Sequence, residues 1–106
     1  FGKGNPKPVF AERDVSVTRA FLLGKNKNVL KFNIINKHGK RMDAMYFSDV
    51  ESFLDDLSNK FGEDEVDKMF INAENDIEFN IIYYPNINEY NGRRNLQIII
   101  NNYLLT

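Results

Sequence analysis

The chain has no cysteine in 106 residues, which excludes disulfides, thiolate metal sites and cysteine nucleophiles. Histidine is almost as scarce. The one residue, His38, falls in a turn beside Gly39 with Asp43 as its nearest acid in sequence. A metal centre needs several ligands brought together, so an isolated turn imidazole reads as a solvated surface group. No apolar run is long enough to span a bilayer, and Phe1-Gly2-Lys3-Gly4-Asn5-Pro6 has no signal-peptide pattern. The expectation is a cytoplasmic protein with no membrane partner. A phosphate-binding Gly-rich loop, a nucleophile elbow and a dinucleotide fingerprint are also missing.

Acids are plentiful but not arranged for chemistry. Asp55 and Asp56 are adjacent on a helical stretch and face different directions, so they cannot share one proton transfer. Glu63-Asp64-Glu65 with Asp67 lacks the alternating ligands and the bend of a calcium loop. It suits the acidic first turn of a helix, where the macrodipole favours negative charge. The isolated domain is therefore expected to hold no catalytic residue, no metal and no cofactor.

What is present suits one small domain. The length is enough to close one hydrophobic core, and 42% apolar with 27% charged residues is ordinary for a globular chain. With Phe rather than Met as its first residue, the chain is expected to be a fragment of a longer protein, although a processed terminus would look the same. The net charge of −1 hides a strong asymmetry. Residues 1–42 hold ten Lys/Arg against Glu12 and Asp14, a net +8, whereas residues 43–89 carry a net −11. Residues 90–106 add Arg93 and Arg94, a net +2. If the two basic segments meet in space, one face can steer a polyanion. The alternative is that strands happen to carry Lys and helices happen to carry Asp and Glu, and charge alone does not separate the two.

Hydrophobic periodicity gives the element order. Residues 1–12 form a Gly/Pro-rich lead-in and residues 13–106 the folded domain. Val15, Val17, Phe21 and Leu23 share the odd positions of a first strand, which Gly24-Lys25-Asn26-Lys27-Asn28 ends. Leu30, Phe32 and Ile34 alternate with Lys31 and Asn33 in a second, half-buried strand. After the turn Asn36-Lys37-His38-Gly39, a third strand runs from Lys40 to Phe47. The period then changes: Val50, Phe53, Leu54, Leu57 and Phe61 make one helical stripe. Ser48 and Glu51 supply a capping-box spacing, and Gly62 a stop. A short second helix is expected over 63–71, with Val66, Met69 and Phe70 inward. Strand pattern returns at Ile77, Phe79, Ile81 and Tyr83, is expected to break at Pro85-Asn86, and resumes around an Asn91-Gly92 hairpin. The last strand shows Leu96, Ile98 and Ile100 on one face, with Gln97 and Ile99 on the other. Five strands with a helix between the third and fourth is the order of a mostly β, five-stranded OB-fold barrel.

Single-strand binding needs cations for phosphates and flat side chains on which bases stack. Lys25, Lys27, Lys31, Lys37, Lys40 and Arg41 fall on the first three strands and their turns. Arg93 and Arg94 follow the hairpin turn beside Tyr90. In OB folds the second and third strands, with the β1–β2 and β4–β5 loops, form the usual binding face. The candidate nucleic-acid contacts are therefore Lys25, Lys31, Lys40, Arg41, Tyr90, Arg93 and Arg94. Structural roles stand beside each one: turn lysines, a Glu89 partner for the arginines, a cross-hairpin neighbour for Tyr90. Tyr83, Tyr84 and Phe79 read as barrel wall. Gly2-Lys3-Gly4-Asn5 fits either a phosphate nest or an interdomain hinge.

Two segments also carry a family resemblance. Phe1-Gly2-Lys3-Gly4-Asn5-Pro6-Lys7-Pro8-Val9-Phe10 resembles the F-G-x-G-N-P-x-P-x-F stretch that leads into the C-terminal OB domain of RecJ. Asn88-Glu89-Tyr90-Asn91-Gly92-Arg93-Arg94-Asn95-Leu96-Gln97 resembles the N-E-[WY]-x-G-x-x-x-[LV]-Q hairpin of the same domain. Asp43, Ala44 and Phe47 match its D-A-x-x-F strand, and residues 62–75 make a larger helical insert than the family's connections. RecJ proteins are 5′-to-3′ single-strand-specific DNA exonucleases of recombination and repair, with manganese or magnesium held by Asp and His in a separate core. The resemblance implies an accessory domain whose partners are single-stranded DNA and that core. It also implies interdomain contacts through Phe1, Asn5, Pro6, Pro8 and Phe10. The isolated domain is expected to be monomeric. The competing expectation is a structural, protein-interaction domain that packs on the core or on a repair partner without binding DNA.

Overall fold

The computed structural model describes residues 8–90 and 93–105, and for 87–90 and 93–96 the backbone alone. Five strands and two helices follow in the order β1 (Phe10–Leu23), β2 (Val29–Ile35), β3 (Arg41–Tyr46), α1 (Val50–Phe61), α2 (Glu63–Phe70), β4 (Glu78–Tyr90) and β5 (Arg93–Leu104). The strands close a barrel in the order β1-β2-β3-β5-β4, with β1 pairing back onto β4. All neighbours are antiparallel except β3 and β5. This is the five-stranded OB-fold with a helical insert expected from the hydrophobic pattern.

β1 reaches two partners because it bends at two irregularities. Its first half pairs with β4, from Phe10 opposite Tyr83 to Ser16 opposite Glu78, with a register shift between Glu12 and Val15. Asp14 sits there at φ 55°, and its N–H donates to Asn80 Oδ1 at 2.9 Å. Its second half pairs with β2, with a second shift between Val17 and Arg19. Thr18 is the extra residue of this bulge, and its hydroxyl donates to the Asn33 carbonyl at 3.1 Å. The bulge corrects the expected phase of the strand. Val15 and Val17 are buried, but the next inward residue is Ala20 at 1% exposure, and Phe21 and Leu23 turn outward.

The core fills from both ends of the chain. Leu30, Phe32 and Ile34 on β2, Met42, Ala44 and Tyr46 on β3, and Ile98 and Ile100 on β5 point inward. α1 plugs the barrel with Val50, Phe53 and Leu57. Phe53 is the hub: its ring stacks flat on Tyr103 at 3.7 Å and meets Phe32, Phe79 and Tyr46 at 4.8–5.4 Å. The Tyr103 hydroxyl donates to Asp56 at 2.5 Å, tying the helix to the end of β5. The N-cap is Asp49, one residue beyond the expected Ser48, and its carboxylate accepts from the Ser52 N–H at 3.1 Å and hydroxyl at 2.9 Å. Gly62, at φ +99°, ends α1 and donates to the Ser58 carbonyl. α2 begins directly after it and buries Val66 and Met69, while Phe70 is half-buried.

One expectation for the last strands changes. β4 runs unbroken through Pro85 and Asn86. Its pairing with β1 stops at Tyr83, so among the described residues Pro85 lies where β5 alone pairs with it and the missing donor costs no second ladder. Ile99 lies with Gln97 on the face opposite Ile98 and Ile100, yet it is only 8% exposed. Its register places it between Met45 and Tyr84, and it lines a cleft with Pro8, Tyr84, Pro85 and Asn86. Beyond Gln97, among the described residues, β4 and β5 pair only with each other, up to Tyr90 opposite Arg93. The Asn91-Gly92 turn lies outside the described residues.

Candidate nucleic-acid interface

The register of the barrel lays out the outer surface of β1, β2, β3, β5 and the second half of β4 as rows. One row runs Phe21, Lys31, Met45, Ile99 and Tyr84 from strand to strand. The next runs Arg19, Asn33, Asp43, Gln97 and Asn86. Arg41 lies one row further, opposite Ile35. Two cations converge on one ring: the Arg19 guanidinium carbon is 4.7 Å from the Phe21 centroid and the Lys31 ammonium 5.6 Å. Asp43 is the acid set among them, and it makes the middle of this surface less favourable for phosphate than its edges.

The basic turns sit at opposite ends of the surface. The β1–β2 turn holds Lys25 and Lys27. Gly24 at φ +91° and Lys27 at φ 54° shape it, and a Cβ on Gly24 would lie 2.7 Å from Asn28 Oδ1. The β2–β3 turn holds Lys37 and Lys40, with Arg41 just beyond it. Asn36, 9% exposed, organises it: its side-chain oxygen accepts from the N–H groups of His38 and Lys40, both at 2.9 Å. The seven residues of β2 separate the turns by about 20 Å. Because β3 and β5 are parallel, the start of β5 lies at the same end as the start of β3. Arg93 and Arg94 therefore belong with Lys37, Lys40 and Arg41, and the Lys25 turn stands apart. Tyr90 and Arg93 face each other at the ribbon tip, as do Glu89 and Arg94 one pair further in, and their side chains lie outside the described residues.

The two basic ends differ electrostatically. Lys27 shares a groove of about 360 Å³ with Asp49 and Glu51 at the start of α1, so nearby acids offset its charge. No acid falls within the Asn36–Arg41 turn. One acidic residue of α2, Glu65, is engaged within its own end of the molecule. Lys68 bonds Glu65 at 2.6 Å, and Glu65 also accepts from the Asp76 N–H at 2.8 Å. Hydrogen bonding to Lys68, then to the Asp76 backbone, holds the Glu65 carboxyl below its ordinary range. Among the described residues no group of three His, Cys, Asp or Glu could hold a metal.

Of the interdomain residues expected, Phe1, Asn5 and Pro6 lie outside the described residues. Pro8 is exposed beside Ile99, and Phe10 is the first residue of β1, 49% exposed with its ring 5.9 Å from Tyr83. The sequence reading missed Arg19 and Phe21 as surface residues. Continued alternation from Val17 would have buried the Arg19 charge inside the barrel, which is the signal that a bulge must intervene.

No described helix is long and apolar enough to cross a membrane. No curated protein matches the chain. The family model described as the RecJ OB domain matches residues 1–102, nearly the whole length. With a closed five-stranded barrel of the right strand order and a helical insert after β3, the chain belongs to the RecJ OB domain family.

Proposed function

We propose that this chain is the accessory domain of a RecJ-like 5′-to-3′ single-stranded-DNA exonuclease, gripping the strand and guiding it to the catalytic core in recombination and repair. The observation that carries this reading is the outer surface of β1–β3, where Arg19 and Lys31 flank an outward ring between two basic ends. Lys31, Lys40, Arg41, Arg93 and Arg94 supply phosphate contacts, Lys25 a weaker one, and Tyr90 a stacking surface at the ribbon tip. Hydrolysis, with its manganese or magnesium, belongs to the parent core in the cytoplasm, and the domain by itself is a monomer without catalytic activity.

Such contacts are largely independent of sequence and weaken steeply with salt. With a net charge of −1, the domain alone binds in the range of about 10⁻⁴ to 10⁻⁶ M. Fluorescence anisotropy of a labelled single-stranded oligonucleotide tests this at low and moderate salt. Binding that fades with salt, and that drops when Arg93 and Arg94 become Ala in a folded protein, is the expected result. No binding at low salt would sink it.

A specific surface favours the second reading, a domain that packs on the core or on a repair partner. Val9, Phe10, Ile82 and Leu104 are 41–61% exposed. Ile82 and Leu104 line a groove of about 580 Å³ with Ala11, Arg13 and Asn80 on the β1–β4–β5 side. That side is distinct from the Phe21 surface, so one domain has room for both roles.

A further inference from the structure

We propose that Asn75 is a positioning residue for strand gripping: its side chain fixes the place where β1 leaves β4 for β2, and with it the outward setting of Arg19. The consequence for DNA rests on the strand-gripping reading, whereas the hold on β1 does not.

Val17 belongs to two strand pairings at once. Its N–H donates to the Ile77 carbonyl at 3.3 Å, one residue past the Ser16–Glu78 pair that ends the β1–β4 register. On the β2 side it lies opposite Ile34, directly before the register shift between Val17 and Arg19. In a regular antiparallel rung, two opposed residues exchange both of their backbone bonds. Here the second bond runs through a side chain. The Ile77 N–H donates to Asn75 Oδ1 at 2.9 Å, and Asn75 Nδ2 donates to the Val17 carbonyl at 3.1 Å. Nδ2 also donates to the Ala73 carbonyl at 3.2 Å. One N–H thus faces the amide oxygen and two carbonyls face its nitrogen, a pattern that a carboxylate, having no donor, cannot meet.

The hold matters beyond the seam because the phase of β1 is decided beside it. With Thr18 as the extra residue, Ala20 is 1% exposed and Arg19 stands outside, opposite Asn33. A slip of one residue sends every later side chain of a strand to the other face. Asn75 comes from the end of the helical insert, and the insert is itself pinned on both sides of that residue. α2 buries Val66 and Met69 in the core. Glu65 accepts from the Asp76 N–H at 2.8 Å, directly after Asn75, and is held by Lys68 at 2.6 Å. The insert therefore brings a fixed amide to the one place where β1 changes partner. Asn75 acts through Val17 on the setting of Arg19 and makes no contact with the strand being gripped.

Asn75→Asp separates this role from a local turn, because the carboxylate keeps the acceptor for the Ile77 N–H and loses the donor to Val17. Asn72→Asp, at an exposed residue of the same insert, controls for the added charge. Amide hydrogen exchange followed by NMR reads the hold, and anisotropy with labelled oligo(dT) reads the grip. Asn75→Asp should speed exchange at Val17 and the β1 amides after it about tenfold, the weight of one lost hydrogen bond, while β5 amides exchange as in wild type. Its affinity for oligo(dT) should fall about threefold below that of Asn72→Asp. Exchange that is unchanged at Val17, or raised equally throughout the barrel, would overturn the hold on β1. Local loosening with the same affinity as Asn72→Asp would overturn its link to gripping. If wild type binds no oligo(dT) at low salt, the strand-gripping reading falls together with that link, and the exchange data still decide whether Asn75 holds β1.

Discussion

The inner and outer faces of β1–β3 are built by the same three strands, residue by alternate residue, yet they answer to different constraints. Inside, Leu30, Phe32, Ile34, Met42, Ala44 and Tyr46 are at most 7% exposed and meet α1 and β5 in one close-packed cluster. Outside, Lys31, Asn33, Asp43 and Met45 are half-buried and lie in rows along the sheet. Volume governs the first set, because a close-packed interior registers the loss or gain of single methylenes. Chemistry governs the second, where solvent accommodates a change of shape but a lost charge or ring alters what can bind. Neighbours one residue apart should therefore differ sharply in what their replacement does.

The largest effect expected from that contrast is on β2. Phe32→Ala removes a fully buried ring that touches Phe53 and Phe79, and should cost about 3–5 kcal/mol. Lys31→Ala, one residue away, should stay within about 0.5 kcal/mol. Denaturant unfolding of the two variants measures both, and equal losses would dissolve the distinction between the faces. On β1 the comparison is sharper still, because the bulge decides which side each residue takes. Ala20→Leu forces added volume into the core and should cost about 1–3 kcal/mol. A neutral outcome would mean that Ala20 faces solvent and the bulge is misplaced.

The smallest effect concerns the seam where the inner cluster reaches the surface. Burial, then the hydrogen bond to Asp56, pushes the Tyr103 hydroxyl well above the ordinary tyrosine range. The folded protein thus holds this proton more tightly than the unfolded chain does. The associated stability is fully present below the ordinary tyrosine pKa of about 10 and is lost as pH rises beyond it. Tyr83 shifts in the same direction, first through burial and then through the charge of Glu12. Thermal unfolding from pH 8 to 11 should show falling stability above about pH 10. Tyr103→Phe should make that fall shallower, at a cost near neutral pH of about 1 kcal/mol for the lost hydrogen bond.

Much of this was legible without coordinates wherever one local rule acts alone. β2 follows strict alternation because each face has a single environment, and α1 shows its stripe because one side packs and the other does not. Gly62 marks the helix end because its φ of +99° suits glycine. The misses share a cause: a tertiary neighbour overrode a local pattern. Asp49 rather than Ser48 caps α1, because its carboxylate is the one that reaches both the N–H and the hydroxyl of Ser52. Pro85 continues a strand because β1 has already parted from β4 there. Ile99 is buried on the outer side because Met45 and Tyr84 flank it and Pro8 shares its cleft. For the candidate site, the cationic residues could be read as types in turns, but not which of them share an end.

The sequence by itself determined the strand count, the position of the helix, the inward set on β2 and the charge asymmetry. Each follows from periodicity or composition within a single segment. Only the tertiary structure decided that Thr18 is an extra residue, that Arg19 and Phe21 face outward beside Lys31, and that Lys40 and Arg41 share an end with Arg93. The physical reason is barrel closure. β1 must leave β4 and join β2, and the bulges that bend it reset the phase of every side chain that follows.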